Sequence, residues 1–246
     1  MKNLLFTLCL VLGLSFSLTG QTDYKQYETH RFMAKRGHEA DFEKGLGDHN
    51  KKYHNAAPYK TSIFEIITGP DSRAYELSMG PMTFTQMEGR PSSADHDADW
   101  AKVMEHADPV GETQFWREDK EIVYMPEGAD KFTAYRWRYF TIKPGQGDRF
   151  ESMVNKFMTV LSTKKYPASY KLYWKFGASE GPHACVELGM SSWAYFDRPN
   201  TLEADFEEVH GKGSYQDFSD DMENFVDRSR TYDEMVKFNP ALSSDY

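Results

Sequence analysis

Two stretches of this chain, residues 24–127 and 132–242, resemble two copies of one unit. The run Glu76–Met79 (Glu-Leu-Ser-Met) matches the run Glu187–Met190 (Glu-Leu-Gly-Met), with the initial glutamate in the same place. Further matched pairs are Gly37 with Gly145, Phe42 with Phe150, and Tyr59 with Tyr170. The offset between the copies changes only where loops are expected. Such self-similarity constrains the fold strongly, because both copies must then follow one element order.

The first unit is predicted to run strand, helix, strand, strand, helix, strand. Residues 27–34 alternate between two faces, which is typical of a strand. Residues 41–53 place apolar side chains at helical spacing, and residues 98–107 form a second amphipathic helix. The remaining strands are predicted at 61–68, at 74–79, and at either 112–117 or 121–125.

The second unit repeats this order after a linker at 126–130, which is rich in residues that break helices and strands. A helix is predicted to carry Phe150, Val154, Phe157 and Leu161 on one face. The other predicted elements are strands at 133–142, 170–176, 184–190 and around 234–236, and helices at 202–210 and 215–228.

A βαββαβ unit is the ferredoxin-like plan. Two such units in tandem resemble the dimeric α/β-barrel superfamily, in which two sheets pack face to face into a barrel. The resemblance covers nearly all of residues 24–242 and rests on element order and spacing. It implies an α+β fold in which two tandem ferredoxin-like repeats form an intramolecular barrel. Members of that superfamily include haem-dependent and cofactor-free oxygenases, isomerases and noncatalytic binding proteins, so the fold alone selects no activity.

The N-terminus has the pattern of a secretory signal peptide. Lys2 precedes an apolar run over residues 4–18, and polar residues follow at 21–23. The run is shorter than the about 20 apolar residues that span a bilayer. We therefore predict a signal peptide at residues 1–20 and a secreted or periplasmic protein, with a retained membrane anchor as the alternative.

Composition excludes several partners. The chain has two cysteines, and Cys9 lies in the apolar run, so Cys185 has no partner for a disulfide after cleavage. Cys185 falls in a predicted strand and is expected to be buried and unreactive. The net charge of −9 argues against binding to nucleic acid or to an anionic membrane. The aromatic content of 15% suits a packed core or contact with a flat ligand.

Differences between the copies point to candidate site residues. The first copy has His30, His49 and Glu65 where the second has Arg138, Phe157 and Phe176. Histidine is the usual general base near neutral pH, a buried carboxylate can act as a base, and arginine binds carboxylates at two points. The predicted ligand-binding residues are His30, His49, Glu65, Glu76, Arg136 and Arg138. They favour a small polar or anionic organic molecule in the first unit.

Each of these residues also has a structural interpretation. Glu76 and Glu187 can form ion pairs with arginine or lysine, and His49 can be a hydrogen-bonded core residue beside Tyr53. The acidic run at 95–99 offers metal ligands, but Asp95 or Asp97 as a helix cap is the simpler interpretation. The sequence predicts no metal site and leaves the cofactor and the oligomeric state open.

Two functions of different classes remain. The first is a secreted protein that binds a small molecule without transforming it. The alternative is a secreted enzyme, oxygenase-like or isomerase-like, that acts on a small polar or anionic molecule inside the barrel. An enclosed pocket with converging ionisable groups favours the enzyme, whereas a filled barrel with an exposed aromatic surface favours a binding module.

Overall fold

The computed structural model describes residues 24–177 and 182–244. The predicted signal peptide lies outside these residues. The strands are β1 (Gln26–Ala34), β2 (Thr61–Ile66), β3 (Tyr75–Met82), β4 (Ala107–Tyr124), β5 (Ala134–Phe140), β6 (Ala168–Lys175), β7 (Ala184–Met190) and β8 (Tyr232–Phe238). The helices are α1 (Glu39–Tyr53), α2 (Phe84–Met87), α3 (Ala94–Met104), α4 (Gly147–Thr163), α5 (Leu202–His210) and α6 (Ser214–Phe225).

The eight strands form a closed antiparallel barrel in the order β1-β3-β2-β8-β5-β7-β6-β4. The first half contributes β4-β1-β3-β2 and the second β8-β5-β7-β6, so each half has the same ferredoxin-like strand order. Two seams join the halves: β2 pairs with β8, and β4 pairs with β6. The predicted α+β fold with an intramolecular barrel is confirmed.

The structure corrects several predicted boundaries. The two alternatives for the fourth strand both lie within β4, a single strand whose register shifts between Glu118 and Val123. The bulge interrupts the period-two pattern, which is why the sequence resembled two short candidates. The second helix begins at Ala94 rather than residue 98, and the last helix ends at Phe225 rather than residue 228.

Helices cover the outside of the barrel in two groups. In the first half, α1 and α3 pack on each other, and the side chains of Phe32, Phe42 and Leu46 are buried there. In the second half, α4 packs on α5 and α6 over a core that includes Phe150 and Leu161. Each such side chain contributes about 1.5–3 kcal/mol through burial. None of the described helices is long and apolar enough to cross a bilayer.

A third cluster of buried residues lies inside the barrel. It contains Trp116 of β4, Trp137 and Tyr139 of β5, Cys185 of β7 and Val236 of β8. Because side chains alternate across a strand, every second residue of the barrel points inward. The interior is thus the layer that both halves share.

Candidate functional site

A cavity of about 210 Å³ lies inside the barrel. Half of its fourteen lining residues are aromatic, and two are glutamates. The lining residues are Tyr27, Thr29, Ser62, Phe64, Glu76, Ser78, Trp116, Tyr135, Trp137, Tyr139, Lys171, Tyr173, Cys185 and Glu187. The cavity therefore offers flat apolar walls with a few polar groups, which is the usual composition of a small-molecule site.

Arg31 organises one side of the interior. Its Nε donates to Glu76 Oε2 at 2.8 Å, and its two terminal nitrogens donate to Glu234 at 2.8 and 2.9 Å. Further bonds run to Asp71 Oδ2 at 2.6 Å and to the Tyr139 hydroxyl at 2.8 Å. Burial raises the pKa of Glu76 and of Glu234, while Arg31 acts in the opposite direction on both. On this side of the interior the Arg31 guanidinium binds the carboxylates, and each of its three nitrogens donates at least one hydrogen bond.

Glu187 has a different environment. Its carboxyl accepts from Trp137 Nε1 at 2.9 Å and from the Tyr173 hydroxyl at 3.5 Å. Burial raises the pKa of Glu187, against the opposing charge of Lys171. Lys171 Nζ lies 3.4 Å from Glu118 Oε2, so Lys171 also forms an ion pair with Glu118. Glu187 is the cavity carboxyl without an arginine partner in the described structure, and a raised pKa of this kind suits a group that exchanges protons.

Cys185 faces the same cavity. Burial and the neighbouring Glu187 and Glu76 raise the pKa of its thiol well above the usual value. A thiol that stays protonated is a poor nucleophile. The expectation that Cys185 is buried is confirmed, and its pKa supports the expected lack of reactivity.

Of the six residues predicted to bind a ligand, the structure places only Glu76 in the barrel cavity. His30 lies on the outer face of β1, where its Nε2 is 2.9 Å from Glu28 Oε1 and its ring stacks on Phe32. Glu65 lies on the outer face of β2 and accepts a 2.6 Å hydrogen bond from Asn239 Nδ2. Strand alternation explains both positions, since their neighbours face inward.

His49 also lies outside the barrel. It is buried between α1 and α3, where its Nδ1 is 2.8 Å from Asp99 Oδ2. The centroid of its ring lies 5.0 Å from that of Tyr53, a contact that the spacing of four residues along the helix had predicted. Glu76 faces the barrel interior, so these two residues occupy different layers. The hypothesis of one site that uses both His49 and Glu76 is therefore wrong.

Arg136 and Arg138 face outward from β5. Arg136 donates to Asp233 at 2.6 Å, and Arg138 donates to the same carboxylate at 2.6 and 2.9 Å. They line a separate cavity of about 90 Å³ beneath α4 and α6. The positive charge predicted opposite Glu76 is supplied instead by Arg31, from the neighbouring strand.

Sequence reasoning missed most of the cavity. Arg31 and Glu76 are direct partners in the pairing of β1 with β3, a register that the sequence does not reveal. Glu187 carried a usable signal, because it matches Glu76 between the copies, but only the first-copy member was selected. For the described residues, the helix-capping interpretation also needs correction: Ser93, rather than Asp95 or Asp97, caps α3 by accepting from the His96 amide.

Neither a protein-family model nor a curated protein matches the sequence. Solved structures do match. A protein from Fusobacterium nucleatum named "Putative monooxygenase" has a TM-score of 0.59 at 10% identity, covering 87% of this chain and 92% of that one. An anthrone oxidase-like protein has a TM-score of 0.54 at 11% identity, covering 88% and 92%. A heme-binding protein from Thermus thermophilus has a TM-score of 0.51 at 7% identity, covering 89% of this chain and 92% of that one.

The fold is that of the dimeric α/β barrel. One of these neighbours binds haem. The described linings of the two cavities contain no histidine, and burial raises the pKa of the Cys185 thiol, so neither lining supplies the imidazole or thiolate that commonly ligates haem iron. Tyrosine, a rarer axial ligand, lines both cavities. Both cavities are smaller than the roughly 300–1,000 Å³ of typical ligand pockets, so their size argues against haem in either.

Proposed function

We propose that this protein binds a compact, uncharged aromatic molecule with a polar rim inside the barrel. The observation that carries the proposal is the pairing of aromatic walls with two buried carboxyls, Glu76 and Glu187. Burial raises the pKa of both groups, and Glu187, which has no arginine partner in the described structure, can hold a proton and donate it to a ligand carbonyl or hydroxyl. Tyr173 and Trp137 hold the Glu187 carboxyl in place.

The charges disfavour an anionic ligand, one of the two options that the sequence suggested. Arg31 is occupied by Glu76, Glu234 and Asp71, and Lys171 is shared with Glu118. An incoming anion would meet acidic groups without a free guanidinium. A neutral ligand avoids that repulsion in a medium where charges interact strongly.

Tryptophan fluorescence tests the proposal, because Trp116 and Trp137 line the cavity. The purified chain is titrated with catechol, with 1-naphthol and with benzoate as the anionic comparison. We expect saturable quenching by the neutral compounds, at least tenfold weaker binding of benzoate, and at least tenfold weaker binding of the neutral compounds to Glu187→Leu, which removes the donor. Glu65→Leu is the matched control, since that carboxyl lies on the outer face. Equal affinity of wild type and Glu187→Leu would refute the proposal.

An enzyme is the second candidate, and the Glu187 environment favours it. Two neighbours carry oxygenase or oxidase names, and several such reactions begin when a base removes a proton from the substrate. We propose Glu187 as that base in an oxygenase-like or isomerase-like reaction. The test incubates bound ligands in D2O and follows hydrogen exchange by NMR, with oxygen uptake measured in parallel. Exchange or uptake that persists in Glu187→Gln contradicts this assignment.

We also propose secretion to the cell exterior or periplasm, on the strength of the N-terminal pattern in residues 1–20. Protein isolated from the native host is expected to begin near Gln21, as N-terminal sequencing would reveal. A retained Leu4–Leu18 segment would instead indicate an anchor. A common origin of the two halves by duplication is a further proposal, supported by their shared strand order and by the matched glutamates.

A further inference from the structure

Three histidines meet in the helical layer over the first half of the barrel. His49 lies on α1, His54 follows its last residue, and His96 lies in the first turn of α3. One possible ligand atom from each ring lies within 4.8 Å of those of the other two. His49 and His54 are buried, at 1% and 8% exposure, and His96 is half-buried.

Hydrogen bonds fix the roles of the ring nitrogens. The oxygen partners of the three Nδ1 atoms are Asp99 Oδ2 for His49 (2.8 Å), the Tyr59 carbonyl for His54 (3.1 Å) and Asp97 Oδ1 for His96 (2.9 Å). A carbonyl or carboxylate accepts, so each Nδ1 is the donor of its ring. Each Nε2 then keeps its lone pair. This is the arrangement in which outer carboxylates and carbonyls orient metal-binding imidazoles.

We propose that His49, His54 and His96 bind one Zn²⁺ ion through their Nε2 atoms and so clamp α1 to α3. Zinc takes imidazole nitrogens at about 2.0–2.1 Å in tetrahedral geometry, which requires the nitrogens to approach to about 3.4 Å. Because possible ligand atoms of the three rings already lie within 4.8 Å of one another, small side-chain rotations can close the cluster around an ion. Calcium and magnesium prefer oxygen ligands and do not suit three imidazoles. The fourth position is left for water.

The second half supplies an internal comparison. There the corresponding layer is closed by apolar rings: Phe157 of α4, the counterpart of His49, stacks on Phe218 of α6 with centroids 5.9 Å apart. The first half places imidazoles where the second places hydrocarbon.

The site differs in kind from the other ligand cluster among the described residues. His38, Asp41 and His106 also bring ligand atoms within 4.8 Å of one another, but two of the three are exposed. In this cluster His106 Nδ1 has no hydrogen-bond partner within residues 24–177 and 182–244, and His38 Nδ1 lies 3.6 Å from Asp41 Oδ2, beyond hydrogen-bond distance. His106→Gln is consequently a matched control for adventitious surface binding.

The experiment uses untagged, chelator-treated full-length protein. Titration with ZnCl2 by calorimetry, together with metal analysis after desalting, is expected to give one tightly bound ion per chain. The visible absorption of bound Co²⁺ should report tetrahedral nitrogen ligation. Thermal unfolding is recorded with and without Zn²⁺, and a rise in the midpoint is expected.

The variants decide the assignment. His54→Gln and His96→Gln are expected to weaken Zn²⁺ binding at least 100-fold and to abolish the thermal shift. Asp99→Asn should weaken binding by about 10–100-fold, because it removes only an orienting partner. Circular dichroism of the apo variants establishes that they fold, and His96 is the variant position least needed for packing. If no stoichiometric ion binds, or if binding survives His96→Gln or is lost in His106→Gln, the proposal is overturned.

Discussion

At the residue scale, the matched glutamates of the two halves have acquired different partners. Glu76 accepts a hydrogen bond from Nε of the Arg31 guanidinium, whereas Glu187 accepts from an indole N–H and a phenol. A guanidinium stabilises the ionised carboxylate more strongly than neutral donors do. Glu187 is therefore the member of the pair whose proton is easier to keep and to exchange.

Glu187→Gln is expected to stabilise the protein at and above neutral pH by an amount on the order of 1 kcal/mol. Burial raises the pKa of Glu187 in the folded state, so folding favours its protonated form. The wild type therefore keeps its full free energy of unfolding below the pKa of the unfolded state, about 4.3. Part of that free energy is lost as the pH rises through the higher pKa of Glu187 in the folded state. The gain in the variant should vanish at acid pH. Urea unfolding at several pH values measures it.

The same comparison with Glu65→Gln separates this effect from a general loss of charge. Glu65 lies on the outer face, where Asn239 donates to it. Its substitution removes one carboxylate charge outside the cavity, so a gain that comes from charge loss in general would appear in this variant as well. A gain in Glu187→Gln that grows toward acid pH would contradict the burial argument.

Arg31→Met is expected to destabilise the fold by about 3–5 kcal/mol, because it leaves Glu76 and Glu234 buried without their cation. Adding Glu76→Gln and Glu234→Gln to that variant should recover much of the loss. Urea unfolding midpoints measure both steps. Arg138→Met, at a half-exposed outer position, is the control and should cost far less.

At the element scale, the residue that caps α3 is Ser93, whereas the sequence had suggested the nearby Asp95 or Asp97. Ser93→Ala removes the hydroxyl that accepts from the His96 amide, and should cost about 1 kcal/mol. Asp95→Ala should cost less, because Asp95 lies in the first turn and contributes only to the helix dipole. Thermal unfolding of both variants in Zn²⁺-free buffer distinguishes them. A larger loss for Asp95→Ala would restore the original assignment.

Local patterns predicted most elements because alternation and helical spacing are themselves local. The strand Ala184–Met190 and the helix Leu202–His210 were predicted at their observed bounds. The site was far less predictable. The Arg31–Glu76 pair depends on strand register, and the cluster of His49, His54 and His96 depends on the packing of two helices. Sequence spacing between ligands carries little information when tertiary contacts bring them together.

At the scale of the whole molecule, each half depends on the other for two strand pairings. In the first half, β2 and β4 would lose β8 and β6 if that half were expressed alone. Residues 24–127 are therefore expected to form a dimer or an aggregate through exposed edges. Sedimentation velocity and circular dichroism, with residues 24–244 as the control, test this. A soluble, cooperatively folded monomer of the first half would contradict it.

The joining of both halves in one chain also removes a constraint on the cavity. A barrel made from two identical subunits has twofold symmetry, so a ligand inside it meets two equal walls. In this chain Arg31 and its carboxylates stand on one side, and Lys171 with Glu118 on another. A molecule that binds there, as proposed above, would meet an uneven distribution of charge, which favours one orientation over the other. Such a cavity can distinguish the two ends of a flat molecule, which a twofold-symmetric cavity cannot do.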